Sequence, residues 1–104
     1  MADVSARIEL AIKESVTEGG PFLNRHYSGW RNRIDPSAVM MTSIFKCMLA
    51  QASGKSYSEA AADHDWDYAA RAKLGFNIPM DTPRGEEPSA YERLGREWRE
   101  QYFS

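Results

Sequence analysis

Cysteine is almost absent. The one thiol, Cys47, excludes an intramolecular disulfide and a four-cysteine zinc site. Histidine is also scarce: His26 and His64 are the only two, and neither stands beside an obvious nucleophile. No long apolar run exists. The greasiest stretch, residues 38–52, is interrupted by Thr42, Ser43, Lys46 and Gln51 and is too short to span a bilayer. Neither sign of charge dominates. Thirteen Lys and Arg against fifteen Asp and Glu leave a formal net charge of −2, which excludes a histone-like polycation and a strongly acidic DNA mimic. The start, Met1-Ala2-Asp3-Val4-Ser5, lacks the basic and apolar regions of a signal peptide. The expectation from these absences is a cytoplasmic protein without membrane contact. No internal repeat and no low-complexity tract occurs.

What is present is an ordinary soluble composition: 104 residues, 42% hydrophobic and 27% charged. A chain of this length buries roughly two thirds of its unfolded surface, enough for one modest core. One domain is therefore expected. Val4, Ile8, Ala11 and Ile12 form an apolar stripe that predicts a helix over residues 3–17. Gly19-Gly20-Pro21 reads as its stop. The same hinge leaves residues 1–18 open to two readings, a separate N-terminal arm or a helix of the core. A short helix and then a loop at Ser28-Gly29 are expected over residues 22–34.

The strongest helical signal follows. Asp35 is placed to cap, Pro36 suits the first turn, and Val39, Met40, Ile44, Phe45, Met48 and Leu49 are apolar almost all round. The expectation is a central core helix over residues 36–52, closed by Ser53-Gly54. Ser56-Tyr57-Ser58-Glu59 reads as a capping box opening a short helix. Asp63 or Asp65 is expected to cap the next one, which Gly75 stops. Residues 76–88, with Pro79, Pro83, Gly85 and Pro88, read as an extended connector. A second capping box, Ser89-Ala90-Tyr91-Glu92, is expected to start the last helix. Its apolar stripe is Tyr91, Leu94, Trp98 and Tyr102, with Arg93, Arg96, Arg99, Glu92, Glu97 and Glu100 on the wet side. No stretch alternates with period two. The fold class expected is all-α, a small bundle of four to five helices around the 36–52 helix.

Two constellations bear on chemistry. Asp63-His64-Asp65-Trp66-Asp67 starts like a calcium loop, but the sixth and twelfth positions hold Tyr68 and Leu74 instead of glycine and glutamate. Helix capping is the better reading of those acids, and no metal or cofactor is expected. Ser53-Gly54-Lys55-Ser56 ends like a phosphate loop without its leading glycine or strand. Cys47, inside an apolar stretch, is expected to be buried and inert. The segment from Arg25 to Arg33 is different: three arginines, His26, Tyr27 and Trp30, with no acid in nine residues. Guanidinium groups bind phosphate bidentately and aromatic rings stack on bases, so Arg25, Tyr27, Trp30, Arg31 and Arg33 form the candidate nucleic-acid-binding set. The alternative is that Tyr27 and Trp30 are core anchors and the arginines a solvated rim.

From residue 34 onward the order of features is similar to a known family. Asp35-Pro36 opens an apolar stretch, Ser56-Tyr57-Ser58-Glu59-Ala60 follows the Gly54 turn, and Ala69-Ala70-Arg71-Ala72-Lys73-Leu74-Gly75-Phe76 precedes a proline-bearing connector. Over residues 34–99 this resembles the N-terminal helical domain of DDE-type insertion-sequence transposases. The helix before Leu74-Gly75 has fewer bulky aromatics than that family's, and no RNase H-like catalytic core follows. The resemblance implies a recognition or assembly module that cannot cut or join DNA. The expected function is thus a non-catalytic helical binding module for DNA, related to a mobile element. The rival is a protein-interaction module, an accessory subunit or an inhibitor, favoured by five methionines and three tryptophans. An enzyme would need Asp63 and Asp67 to converge with a histidine. Self-association is left open.

Overall fold

The structure, a computed structural model, describes residues 5–103. Five α-helices appear in it: α1 Ala6–His26, α2 Met48–Ser53, α3 Tyr57–Asp63, α4 Tyr68–Lys73 and α5 Glu87–Tyr102. Three 3₁₀ turns, Trp30–Arg33, Pro36–Ala38 and Arg84–Glu86, join them, and no strand occurs among the described residues. The all-α bundle expected from the sequence is therefore the fold.

Its axis is not the expected one. The two long helices, α1 and α5, pack along each other and form the frame. Ile8, Ile12, Val16 and Leu23 of α1 meet Ala90, Leu94 and Trp98 of α5 in one fully buried cluster, with Met48, Leu49, Phe76 and Ile78 closing it. Burying each of the large aliphatic and aromatic side chains among them contributes on the order of 1.5–3 kcal/mol.

Helix α1 begins at Ser5, whose hydroxyl accepts from the Ile8 N–H, and runs straight through Gly19-Gly20-Pro21. The glycines are there for contact, not for termination. A Cβ on Gly19 would stand 2.2 Å from the Leu74 carbonyl oxygen and 2.6 Å from the Trp98 ring; one on Gly20 would stand 2.2 Å from the Tyr102 hydroxyl. Pro21 has no N–H to offer the preceding turn. The carbonyl left without its helical donor is that of Thr17; the Tyr102 hydroxyl lies 3.4 Å from it and donates to the neighbouring Val16 carbonyl at 2.8 Å.

The expected central helix over residues 36–52 is not formed. Residues 36–38 make one 3₁₀ turn capped by Asp35, and helix resumes only at Met48. Local hydrogen bonds capture the chain between them. Ser43 Oγ accepts from the backbone N–H of Phe45 and of Lys46, and the Met40 N–H donates to the Lys46 carbonyl, closing a loop. A serine that satisfies its neighbours' backbone in this way competes directly with the helical ladder. The Ile44 carbonyl then accepts from Tyr57 N–H, so the loop is pinned to the start of α3. Met41 and Cys47 are buried beneath it, and burial raises the Cys47 thiol pKa, as an inert core thiol requires.

Other boundaries also move. Gly54 ends α2 in the left-handed conformation and Ser56–Glu59 forms the full capping box of α3, both as read from the sequence. The cap of α4 is Asp67, not Asp63 or Asp65: its carboxylate accepts from Ala70 N–H. Helix α5 starts at Glu87 with Pro88 in its first turn, ahead of the expected Ser89 box. Glu97 does not lie on a wet face. It is buried, accepting from Arg93 at 2.7 Å and from Gln101 at 2.9 Å. No helix among the described residues is long and apolar enough to cross a membrane.

Candidate functional site

The basic-aromatic segment is pulled apart by the packing. Trp30 is 1% exposed; its ring lies edge-on to Trp98 and Tyr102, and its Nε1 donates to Asn24 Oδ1 at 2.8 Å. A ring in that position offers no face to a base. Tyr27 is half-buried and its hydroxyl bonds His64 Nε2 at 2.7 Å. Arg33 directs Nε to the Ala52 carbonyl and its two terminal nitrogens to the carbonyls of Ser28 and Tyr27, tying the first 3₁₀ turn to α2. Arg31 rests over the Trp30 and Tyr102 rings at 5.4 and 5.3 Å. Arg25, in the last turn of α1, is exposed and makes no ion pair among the described residues. Of the five candidates, only Arg25 and Arg31 keep an outward guanidinium without hydrogen-bonding duties.

The acidic run around His64 is equally dispersed. Asp63 pairs with Lys55, Asp67 caps α4, and Asp65 occupies a left-handed backbone position at φ 55°. His64 stacks on Trp66 at 4.6 Å and faces His26 with ring centroids 5.3 Å apart. Burial and the neighbouring His26 and Lys55 lower the His64 pKa, with Asp63 opposing. Among the described residues no group of three or more His, Cys, Asp or Glu side chains could hold a metal ion.

The feature the periodicity hid lies on the 39–46 loop. Met40 is 53%, Ile44 49% and Phe45 68% exposed, although their spacing placed them in the core. They sit on the loop that the Met40–Lys46 backbone bond closes, over the buried Met41 and Cys47. Three large apolar chains held outward on one short, internally bonded loop are unlike the scattered apolar residues of an ordinary surface. The loop borders α5 across a groove of about 600 Å³, lined by Val39, Met40, Met41, Tyr91, Arg96 and Arg99 among others. The signal available in the sequence was Thr42-Ser43, a helix-disfavouring pair in the middle of the apolar run.

Comparison with protein-family models, with curated proteins and with solved structures gives no match.

Proposed function

We propose that the chain is a non-catalytic helical binding module whose docking face is the 39–46 loop and whose partner is another protein. The observation that carries this reading is the outward placement of Met40, Ile44 and Phe45 on a loop whose backbone is satisfied internally. Flexible methionine and an aromatic ring suit the centre of a protein interface. Two of the three tryptophans do not contribute: Trp30 and Trp98 are buried in the core. The setting proposed is a reducing cytoplasm, in keeping with a single buried thiol. The likeness to transposase N-terminal domains rests in this proposal on residues 56–60 and 69–76, since a 3₁₀ turn replaces the long helix after Pro36.

Replacing Met40, Ile44 and Phe45 together by serine tests the reading. The isolated variant should unfold within about 0.5 kcal/mol of the parent per site, as surface changes do. It should also fail to retain a partner that co-purifies with the parent chain from its native cells. A large loss of stability would make the three side chains structural, and undiminished partner retention would place docking elsewhere.

DNA contact is the second reading, supported by the outward Arg25 and Arg31. Two phosphate contacts predict a band-shift affinity whose logarithm falls with log salt at a slope of about −2. Absence of binding at low salt removes it.

A further inference from the structure

The groove beside the apolar loop has a charge of its own. Arg96 and Arg99 of α5 stand on its wall and make no ion pair among the described residues, whereas Glu92 is the one acid lining it. The surroundings of the groove are thus positive on a chain whose total is −2. The other arginine of this helix, Arg93, is engaged by Glu9, Glu97 and Glu100, so the unpaired cations of α5 concentrate on the groove side.

The shape fits a chain rather than a small molecule. A second groove of about 180 Å³ shares Met41, Thr42 and Tyr91 with the first and extends it past Ile44 to Tyr57 and Asn77. The floor between the loop and α5 is formed at the buried Gly95. A Cβ there would already be in ordinary contact with Arg99 Nη1 and Met41 Cγ, both at 3.5 Å, and with Val39 Cγ1 at 4.0 Å, so the absent side chain lets the loop lie close against α5 and a larger one would project into the groove. The composite groove therefore has Arg96 and Arg99 in its first part only, and Met41, Ile44 and Phe76 beside Thr42, Ser43 and Asn77 in its second.

We propose that this groove binds a segment of a partner protein that is acidic and carries apolar anchor residues. The inference rests on the reading of the 39–46 loop as a docking face and names what docks there. Arg96 and Arg99 take the partner's carboxylates, for which the guanidinium fork is suited. Met40, Met41 and Ile44 hold the anchor, their flexible or branched chains adapting around it. A nucleic-acid strand in the groove would set its phosphates against Met40 and Ile44, where they would lose water and gain no partner. Like charges in a basic segment would meet Arg96 and Arg99 and be rejected.

The test uses the full chain, isotope-labelled, titrated with three synthetic peptides: one alternating aspartate with leucine and phenylalanine, one with lysine for aspartate, and one with serine for the apolar residues. The acidic-apolar peptide is expected to shift the amide resonances of residues 39–45 and 91–99, and to bind at least tenfold more tightly than the other two. Charge reversal, Arg96→Glu with Arg99→Glu, should weaken it at least tenfold. Gly95→Leu should block it while the far-ultraviolet helix signal stays at the parent level. Equal binding of the lysine peptide, or displacement of the acidic peptide by duplex DNA, would overturn the proposed partner chemistry. So would resonance shifts confined to other residues, or no shifts at all. The docking reading itself fails separately, when the Met40, Ile44 and Phe45 serine variant keeps its partner.

Discussion

His64 shows how one residue's surroundings set its charge. Its ring is stacked on Trp66, lies edge-on to Phe22, bonds the Tyr27 hydroxyl and faces His26. Burial is the main cause of its lowered pKa; His26 and Lys55 push the same way and Asp63 partly opposes them. The folded state therefore prefers the neutral ring, while an unfolded histidine titrates near pH 6.5. The resulting contribution to stability is complete above that value and is lost as the pH falls through the lower folded value. The melting temperature should drop between pH 7.5 and 5.5, and His64→Gln should flatten that drop relative to the parent measured side by side. An identical slope in both proteins would remove His64 as a cause. Trp30 teaches a related lesson. Its neighbours in sequence are arginines, yet the ring is interior, because Asn24 accepts its N–H and the Trp98 and Tyr102 rings surround it.

At the scale of elements, Gly19-Gly20-Pro21 and residues 36–52 are mirror cases. Local rules made the first a helix stop and the second a helix. The glycines instead let α5 and the Leu74 carbonyl approach α1 more closely than any side chain permits. Alanine at position 19 would gain about 1 kcal/mol of helix propensity. It would also force its methyl into the Leu74 carbonyl and the Trp98 ring, an overpacking that costs roughly 1–3 kcal/mol and more against backbone. Gly19→Ala should therefore lower the urea midpoint, and a raised midpoint would show the approach to be slack. In residues 36–52 the hydrophobic period was real but its partner surface was absent. The 39–46 loop turns Met40, Ile44 and Phe45 outward while Met41 and Cys47 stay inside. Where the cap chemistry is self-contained, as at Ser56–Glu59 and Gly54, sequence and structure coincide.

Across the whole molecule, rings make a continuous path. Phe22 meets Trp66 at 5.0 Å, Trp66 stacks on Phe76 at 5.7 Å, Phe76 on Trp98 at 5.6 Å, and Trp98 contacts Trp30 at 6.2 Å. The path joins α1, the segment after α3, the connector and α5, so all three tryptophans report on one core. Unfolding by urea should give coincident tryptophan-fluorescence and helix-signal transitions, the mark of a single cooperative unit. A fluorescence change that precedes loss of helix would show that the aromatic path is not the common core.

The sequence by itself determined the helical class, the capping box of α3 and the apolar stripe of α5, because each depends on periodicity or on contacts within a few residues. Only tertiary packing decided that α1 continues past two glycines, that Trp30 and Glu97 turn inward, and that Met40, Ile44 and Phe45 turn outward. Those outcomes depend on what stands opposite each side chain across the bundle, a quantity that spacing along one segment does not contain. The docking face belongs to this second group: the apolar residues were visible in the sequence, and their exposure was not.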